Sequence, residues 1–417
     1  MYLDINSLDT TRTGSIELFH SSGSELQAQP SDWTAPHIGE SRNTAELIEH
    51  RAPYDPVLCF SVENLRTQTR RFQREFPGHV TYAVKANHSG RVLTTLSGLG
   101  IETFDVASLQ EMELVRSRAP NAQFHYHNPV KSRREISEAY NRFGVRQFAV
   151  DDEVELAKLL DICEPRETTL AVRFRLEGTA AVHDFSTKFG ATPPQAILLL
   201  KAASEAGFSC ALTFHPGSQC YDPVAYTRHI HSAAEIARDA DVELVSLNVG
   251  GGFPATYEND NLPGLEAYFT AISNAAEEAF GGSAPLLECE PGRALVASCM
   301  SLLVPVKHVR QEHRELFLQD GIYGTLMEFS QTSLRPAVTW HRTGGGRIGE
   351  KTDTFEVYGP TCDPMDRLPG RYVLPADLQE GDYLEFASMG AYSIATATRF
   401  NGYGDVRIIP VQDIFTG

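Results

Sequence analysis

From about residue 60 to residue 290, short apolar runs alternate with longer segments of helical periodicity. Eight runs bounded by Gly, Pro or Asn are predicted strands: Thr81–Lys85, Glu102–Val106, Gln123–His127, Arg146–Val150, Thr169–Phe174, Cys210–His215, Glu243–Val249 and Leu286–Glu290. Segments with apolar residues at i, i+3 and i+4 precede them as predicted helices: Glu63–Phe76, Arg91–Leu99, Leu109–Arg118, Arg133–Phe143, Glu153–Ile162, Pro194–Ala206, Pro223–Arg238 and Gly264–Phe280. This order predicts an α/β fold based on a (β/α)8 TIM-type barrel. An open doubly wound sheet is the alternative, but no G-x-G-x-x-G follows the first strand to support its dinucleotide-binding form.

The pattern changes after about residue 296, where helical periodicity nearly vanishes. Short β-rich runs separated by Gly, Pro and Asp turns follow: Met300–Val309, Glu315–Gln319, Thr354–Tyr358 and Tyr383–Ala387. Residues 1–50 have little periodicity and are interpreted as loop, partial disorder, or one or two strands contributed to another domain. We therefore predict an N-terminal segment at 1–58, a barrel at 59–296 and an all-β, sandwich-like domain at 297–417.

Composition limits the class of protein. The chain has 417 residues, a formal net charge of −18 and 42% hydrophobic residues. This acidic balance makes nucleic acid an unfavourable partner, and no apolar run is long enough to span a membrane. Seven scattered cysteines without a CxxC pair argue against a disulfide framework and for a reducing compartment. Because the polar N-terminus also lacks a secretory signal pattern, a cytoplasmic enzyme is predicted.

Polar residues recur where the predicted strands end. A barrel gathers its functional groups at the carboxyl ends of its strands. Six such residues come from six different segments: Lys85, Asp105, Arg173, His215, Gly250 and Glu290. An amine, an imidazole, carboxylates and a glycine cradle at successive strand ends indicate a site for pyridoxal phosphate.

Lys85 lies in the sequence YAVKAN, between apolar neighbours. A lysine desolvated by such neighbours can attack a carbonyl carbon as a nucleophile. The alternative is a lysine that extends from the barrel rim into solvent, as most lysines do. Its place in the ordered series of strand ends favours the reactive role.

Two glycine-containing sequences favour a bound phosphate. In EPGR (290–293), Glu290 can face a pyridine nitrogen and Arg293 can bind a phosphate. The alternative is a structural ion pair between the two on a tight turn. The triplet Gly250–Gly252 lets backbone N–H groups approach a phosphate closely, and is otherwise an ordinary strand-to-helix turn.

Histidines follow two of the predicted strands. His215, in FHPGS, can stack on a cofactor ring, with Ser218 on the phosphate, or can be a satisfied buried histidine. His125 and His127 alternate along one strand and so share a face. Because no Asp, Glu or Cys stands at ligand spacing from them, no metal site is predicted.

Together these residues resemble the fold-type III, alanine-racemase-like pyridoxal-phosphate decarboxylases, particularly ornithine decarboxylases. The similarity runs from about residue 57 to the end of the sequence. Its matching pieces are YAVKAN (82–87), FDVAS (104–108), KFG (188–190), FHPGSQ (214–219), NVGGGFP (248–254), EPGR (290–293), DGIYG (320–324), GPTCD (359–363), GAYS (390–393) and FNG (400–402). The resemblance implies a barrel and a β-sandwich-like domain that the N-terminal segment joins. It also implies head-to-tail homodimers with shared active sites.

The resemblance assigns cofactor contacts residue by residue. Lys85 would carry pyridoxal 5′-phosphate covalently, His215 would stack on the ring, and Glu290 would face the pyridine nitrogen. The supporting residues would be Asp105, Glu111 and Arg173. The phosphate would be surrounded by Ser218, Gly251, Gly252, Gly292, Arg293 and Tyr392.

The turn GPTCD would enter the active site of the other subunit. There Cys362 would protonate the product carbon and Asp363 would bind the distal ammonium of a basic L-amino acid. The further substrate contacts would be Tyr323, Glu328 and Phe400. L-Ornithine, converted to putrescine in polyamine biosynthesis, is the first predicted substrate, while L-lysine, another ω-amino acid and diaminopimelate are the alternatives.

Other features bear on the reaction type and the substrate. Racemases of this fold usually have an arginine at the pyridine nitrogen, so Glu290 favours decarboxylation. Pro216 stands where the family usually has Val, and Thr325–Thr332 lacks the Asp that usually holds the distal amine. Glu328 or Gln331 would have to replace it. A non-catalytic regulatory relative is disfavoured because the cofactor residues are complete.

Overall fold

The computed structural model describes residues 41–177, 181–183 (backbone only), 188–258 and 261–417. Its strands up to residue 289 are β1 Ser41–Asn43, β2 Val57–Phe60, β3 His79–Val80, β4 Tyr82–Ala83, β5 Thr103–Val106, β6 Gln123–Tyr126, β7 Gln147–Val150, β8 Thr169–Arg173, β9 Ala181–His183, β10 Ser209–Thr213, β11 Ser218–Cys220, β12 Ser246–Asn248 and β13 Leu286–Cys289. Its helices up to residue 296 are α1 Thr44–Arg51, α2 Val62–Glu75, α3 Gly90–Gly98, α4 Leu109–Arg118, α5 Arg133–Asn141, α6 Glu153–Ile162, α7 Pro193–Glu205, α8 Val224–Ala240, α9 Leu265–Phe280 and α10 Arg293–Val296.

Nine of these strands form one parallel sheet that curves into a barrel, in the order β3, β13, β12, β10, β8, β7, β6, β5, β4. β3 and β4 are the two halves of a single first strand, and β3 pairs with β13 while β4 pairs with β5. Between the halves, the N–H of Thr81 donates to the carbonyl of Cys289 at 2.9 Å. The sheet therefore closes on itself, and the predicted (β/α)8 barrel is confirmed.

Local sequence explains where the barrel helices begin. Ser61 and Ser108 precede α2 and α4, and each hydroxyl accepts a backbone N–H from the first helical turn. Ser132 and Glu135 form a reciprocal capping box at the start of α5. Each such cap stabilises a helix by about 1 kcal/mol. The predicted bounds of α4 and α6 match the structure to the residue, and those of the other predicted helices differ by at most two residues.

A second sheet follows the barrel in sequence. Its strands are β14 Met300–Arg310, β15 Glu315–Leu318, β16 Val338–His341, β17 Thr352–Tyr358, β18 Tyr372–Pro375, β19 Tyr383–Phe386 and β20 Arg407–Asp413, with the short helices α11 Met327–Gln331 and α12 Ser393–Thr396. The path β1, β20, β2, β14, β15, β17, β18 mixes parallel and antiparallel pairs, and β19 pairs with both β14 and β16. Four of these strands were predicted, whereas β16, β18 and β20 were missed.

Residues near the N-terminus belong to this second sheet. β1 pairs with β20, and the fully buried β2 lies between β20 and β14. Of the interpretations for residues 1–50, the contribution of strands to another domain fits residues 41–50, although α1 was missed. Asn43 caps α1 by accepting the N–H of Glu46 at 2.9 Å. Residues 1–40 lie outside the described part of the chain, and the domain limits at 58 and 296 stay predictions.

Two hydrogen bonds tie the second sheet to the barrel just after Lys85. The N–H of Tyr392 donates to the carbonyl of Ala86 at 2.7 Å. The side-chain amide of Asn87 donates to the carbonyl of Gly390, also at 2.7 Å. The loop between β19 and α12 is thereby held against the mouth of the barrel.

Two further features concern the cysteines and the helices. All seven cysteines are unpaired, and Cys362 is the one that is exposed. In the described ranges, every helix is too short or too polar to cross a bilayer.

Candidate active site

A cavity of about 270 Å³ opens at the carboxyl ends of the barrel strands. Five residues predicted from strand ends line it: Lys85, Asp105, Arg173, His215 and Glu290. Each lies within two residues of the carboxyl end of a different strand, so the barrel geometry brings them together. The sixth residue, Gly250, packs against the same wall, because a Cβ there would lie 2.1 Å from the carbonyl oxygen of Phe214.

Lys85 was predicted to lie in a strand. It lies instead in a 3-10 turn, Val84–Ala86, directly after β4. Val84 and Ala86 are buried while the Lys85 side chain is exposed, so the predicted desolvation by these neighbours is wrong. The side chain lines the cavity that also contains Asp105 and Glu290. The amine therefore faces a cavity lined by charged side chains of both signs rather than an apolar wall.

Glu290 is buried at the end of β13 and bonds to two side chains. The amide of Asn248 donates to its Oε1 at 2.7 Å, and Nδ1 of His127 hydrogen-bonds to the same oxygen. Burial opposes ionisation of this carboxyl group, but His127 more than offsets it, and the net effect lowers the pKa of Glu290. Glu290 is therefore an ionised carboxylate inside the barrel.

The surroundings of Asp105 shift its pKa in the direction opposite to that of Glu290. Burial, followed by repulsion from Glu290, raises the pKa of its carboxyl group. Its Oδ1 is buried and has no hydrogen-bond partner within the described residues. A buried polar atom without a partner is costly, so this position fits a bound group that supplies one.

His215 is a neutral imidazole. Burial, together with the nearby positive charges of Lys85 and Arg173, holds its pKa well below the usual value. Its Nδ1 accepts the N–H of Gly217 at 3.1 Å, which leaves the ring proton on Nε2. Arg173 also lines the cavity, with its guanidinium 5.5 Å from the ring centre of Phe189. A flat, uncharged ring on the cavity wall can stack on an aromatic ligand.

The residues predicted for the phosphate lie around Arg293. Its guanidinium donates to the hydroxyls of Tyr257 at 2.7 Å and Ser218 at 3.4 Å. The guanidinium carbon lies 4.9 Å from the ring centre of Tyr392. Glu328, predicted to contact substrate, is buried in an ion pair with the same guanidinium. Its predicted substrate contact stays a prediction. In the structure, Glu328 lies with Arg293 among the residues predicted to bind the phosphate.

Glycines allow close backbone approaches beside this group. A Cβ on Gly251 would lie 2.7 Å from the carbonyl oxygen of Glu290, and one on Gly252 would lie 2.4 Å from that of Gly217. A Cβ on Gly292 would lie 2.9 Å from that of Ala86, next to Lys85. Real Cβ atoms do not approach this closely, so larger residues would separate the segments that carry Lys85, Ser218 and Glu290.

The remaining predicted residues form a separate, partly exposed group, here called the turn cluster: Tyr323, Cys362, Asp363 and Phe400. The hydroxyl of Tyr323 donates to Asp363 at 2.6 Å, and its ring lies 4.7 Å from that of Phe400. The exposed thiol of Cys362 is 3.4 Å from the side-chain oxygen of Asn401. None of these residues lines the cavity. Within the described part of one chain, the predicted site is therefore divided between two places.

Sequence reasoning missed three residues of the site. Asn248 and Tyr257 had no predicted role, and His127 was considered only as a metal ligand together with His125. The signal for His127 was its place directly after β6, equivalent to the strand ends that carry Asp105 and Glu290. Asp105, His127 and Glu290 hold ligand-type atoms within 4.8 Å of one another. A hydrogen bond between His127 and Glu290 joins two of the three.

The chemistry of these residues fits pyridoxal phosphate. The cavity is lined by Asp105, whose Oδ1 has no partner among the described residues, and by the carboxylate of Glu290. Arg293 has a buried Nε without a partner among the described residues, and its guanidinium donates to the hydroxyl of Ser218. An aromatic ring with polar substituents and an anionic tail can satisfy both ends.

Comparison with known proteins decides the family. The sequence profile described as pyridoxal-dependent decarboxylase, pyridoxal binding domain, matches residues 62–297. The chain belongs to the pyridoxal-dependent decarboxylase family. It is accordingly a pyridoxal-phosphate-dependent amino-acid decarboxylase, and its barrel is the cofactor-binding part.

Relatives of this decarboxylase cover most of its length. The lysine/ornithine decarboxylase of Selenomonas ruminantium is 32% identical over 371 residues, which cover 87% of this chain and 91% of that protein. Antizyme inhibitor 2 of Xenopus laevis is 33% identical over 343 residues, which cover 77% and 73% respectively. The solved lysine/ornithine decarboxylase of Vibrio vulnificus in complex with cadaverine has a TM-score of 0.75 at 28% identity, covering 86% of this chain and 95% of that one.

Proposed function

We propose that this decarboxylase removes the α-carboxylate of L-ornithine and releases putrescine. The observation that carries the proposal is the cavity at the barrel mouth, where Lys85 stands among Asp105, Glu290 and the neutral ring of His215. The names of the relatives support a basic amino acid as the substrate class. Polyamine biosynthesis as the pathway and a cytoplasmic location stay predictions.

The roles of the cavity residues follow from their positions. Lys85 Nζ is the amine that would hold the aldehyde end of the cofactor. His215 would lie against its ring, and ionised Glu290 would keep a proton on the ring nitrogen. Arg293 and Ser218, with Gly251, would bind the phosphate. When bound, pyridoxal phosphate supplies an electron sink for the electron pair left on the substrate carbon after CO2 departs.

The turn cluster contains two groups that the reaction would need: a proton donor and a carboxylate for the distal amino group of the substrate. Decarboxylation leaves a carbon that must be protonated, and a substrate with two amino groups needs an anion for the distal one. Cys362 and Asp363 provide a thiol proton and a carboxylate, but neither lines the cavity of its own chain. We therefore propose a homodimer in which the turn cluster of each chain completes the active site of the other. Met365, beside this cluster, is 70% exposed and would be covered in such an interface.

L-Lysine is the second candidate substrate. Two observations favour it: the name of the lysine/ornithine decarboxylase of Selenomonas ruminantium, and the cadaverine in the solved relative from Vibrio vulnificus. Diaminopimelate is less favoured, because its second carboxylate would approach the negative charge of Asp363. Antizyme inhibitor 2 among the relatives also gives the name of a regulatory protein, but the complete set of cavity residues supports catalysis here.

A panel of amino acids tests the substrate. We expect CO2 release from L-ornithine with the highest kcat/KM, and slower release from L-lysine, with L-arginine, diaminopimelate and 2,4-diaminobutyrate as comparisons. One methylene in a binding pocket changes specificity by roughly 10- to 200-fold, so a clear order between ornithine and lysine is expected. The proposal fails if ornithine is not decarboxylated.

Replacing Asp363 tests how the distal amine is bound. A hydrogen bond to a charged group contributes about 1.5–3 kcal/mol, so Asp363→Ala should raise KM for ornithine by roughly 10- to 100-fold and change kcat less. Tyr323→Phe removes only the hydroxyl that donates to Asp363 and should have a smaller effect. Glu290→Ala should lower kcat instead. Equal increases in KM for the Asp363 and Glu290 variants would contradict these roles.

A further inference from the structure

Both side chains that bond to Glu290 use the same oxygen of its carboxylate. Nδ1 of His127 and the amide of Asn248 both bond to Oε1. In the described residues, no hydrogen bond is formed to Oε2. Because Glu290 also lines the cavity, one oxygen is fixed by the protein and the other remains for a ligand.

Gln147 places its side-chain amide next to Nε2 of His127. Its amide nitrogen is 3.1 Å from a carboxylate oxygen of Glu288 and 3.3 Å from Nε2 of His127. The carboxylate requires the amide NH2 group, not its oxygen, at this position, so Nε2 of His127 faces a donor. The proton of a neutral His127 therefore lies on Nδ1, where it is donated to Glu290.

The surroundings keep the His127 ring in place. Its ring centre lies 5.1 Å from that of His125, with 30° between the planes. Burial disfavours a charged His127, but Glu290, Asp105 and Glu288 oppose this effect and together raise its pKa. In both protonation states Nδ1 carries a proton, so the hydrogen bond to Glu290 persists.

We propose that His127 is a positioning residue of the cofactor site, which fixes Oε1 of Glu290 and so aims Oε2 at the ring nitrogen of the bound cofactor. This inference rests on the role proposed for Glu290. It makes His127 act through Glu290, without touching the substrate. Orienting partners of this kind typically change ligand affinity or activity by roughly 10- to 100-fold when removed.

The first test uses the protein without added cofactor. NMR of histidine-labelled protein should show a strongly deshielded imidazole N–H proton that disappears in His127→Asn. Glu290→Gln, a weaker acceptor at the same position, should move this signal upfield. Glu385→Gln is the matched control, since it changes a buried carboxylate that bonds to a different histidine, His341, in the second sheet and should leave the signal in place. A signal that does not respond to Glu290→Gln would overturn the inference.

The second test measures cofactor binding. His127→Leu removes the donor and should raise the dissociation constant for pyridoxal 5′-phosphate roughly tenfold or more. His127→Asn places an amide N–H near the position of Nδ1 and should restore affinity to within about threefold of wild type. A purely structural role for the ring would make both variants equally weak, and that result would refute the inference. If His127→Leu does not fold, the NMR comparison decides.

The two tests also separate this inference from the proposed function. If Glu290→Gln weakens cofactor binding and His127→Leu does not, only the role of His127 fails. If Glu290→Gln leaves both cofactor affinity and decarboxylation unchanged, the role of Glu290 in the proposed function fails first.

Discussion

Lys85→Ala is expected to abolish decarboxylation, with kcat/KM for L-ornithine lowered by roughly 10³-fold or more, because the covalent attachment point of the cofactor is lost. The purified variant should also lose the visible absorbance that bound cofactor gives to the wild-type protein. CO2 release and an absorbance spectrum measure the two effects independently.

Two matched variants test whether Lys85 acts through its reactive amine or only through its positive charge. Lys85→Arg keeps a positive charge, but a guanidinium does not deprotonate and cannot act as the amine nucleophile, so it should be as inactive as alanine. Lys188 lines the same cavity, and Lys188→Ala should have a much smaller effect. Equal losses for Lys85→Ala and Lys188→Ala would show that positive charge alone matters at this site, and would contradict the proposed attachment.

Mixing two inactive chains should restore activity. Cys362→Ala is expected to lower kcat by roughly 10²- to 10⁴-fold, because a proton donor is lost. If Lys85→Ala and Cys362→Ala chains are coexpressed in equal amounts, half of the dimers contain one of each. Each mixed dimer has one intact site in a shared arrangement, so about one quarter of wild-type activity should return.

The control for this experiment pairs two residues of the same cavity. Lys85→Ala and Glu290→Gln chains leave every site of a mixed dimer with one defect, so no activity should return. A mixture of Lys85→Ala and Cys362→Ala that remains inactive, although the mixed dimers can be isolated, would rule out shared sites. A monomeric wild-type protein in sedimentation would do the same.

The sequence predicts the barrel well because its helix-capping residues, its helical periodicity and its apolar strand segments all indicate the same fold. The capping residues Ser61, Ser108 and Ser132 stand where helical periodicity begins, and the strands between are continuous apolar runs. Strand ends were less accurate, since a strand stops where its pairing stops, and pairing depends on its neighbours. Lys85 illustrates this: its run looks like a strand, but the chain turns at Val84.

The missed contacts depend on residues that are far apart in the chain. His127 and Glu290 are 163 residues apart, and nothing in either local sequence indicates that they meet. The same holds for Glu328, where a missing aspartate suggested a substrate contact, while the structure pairs it with Arg293. Strand-end position predicts which residues share the barrel mouth, whereas the partner of each side chain depends on register and rotamer.

The short strand β2 has a consequence for how the protein is made. Its four residues are fully buried between β14 and β20, yet β20 begins about 350 residues later in the chain. At roughly 5–20 residues per second on the ribosome, the edge of this apolar segment that pairs with β20 stays unpaired for about 20–70 s. During that interval it presents exposed backbone donors and acceptors next to a barrel that is already emerging. Production in cells should therefore depend on chaperones that cover such a segment until the C-terminus is released.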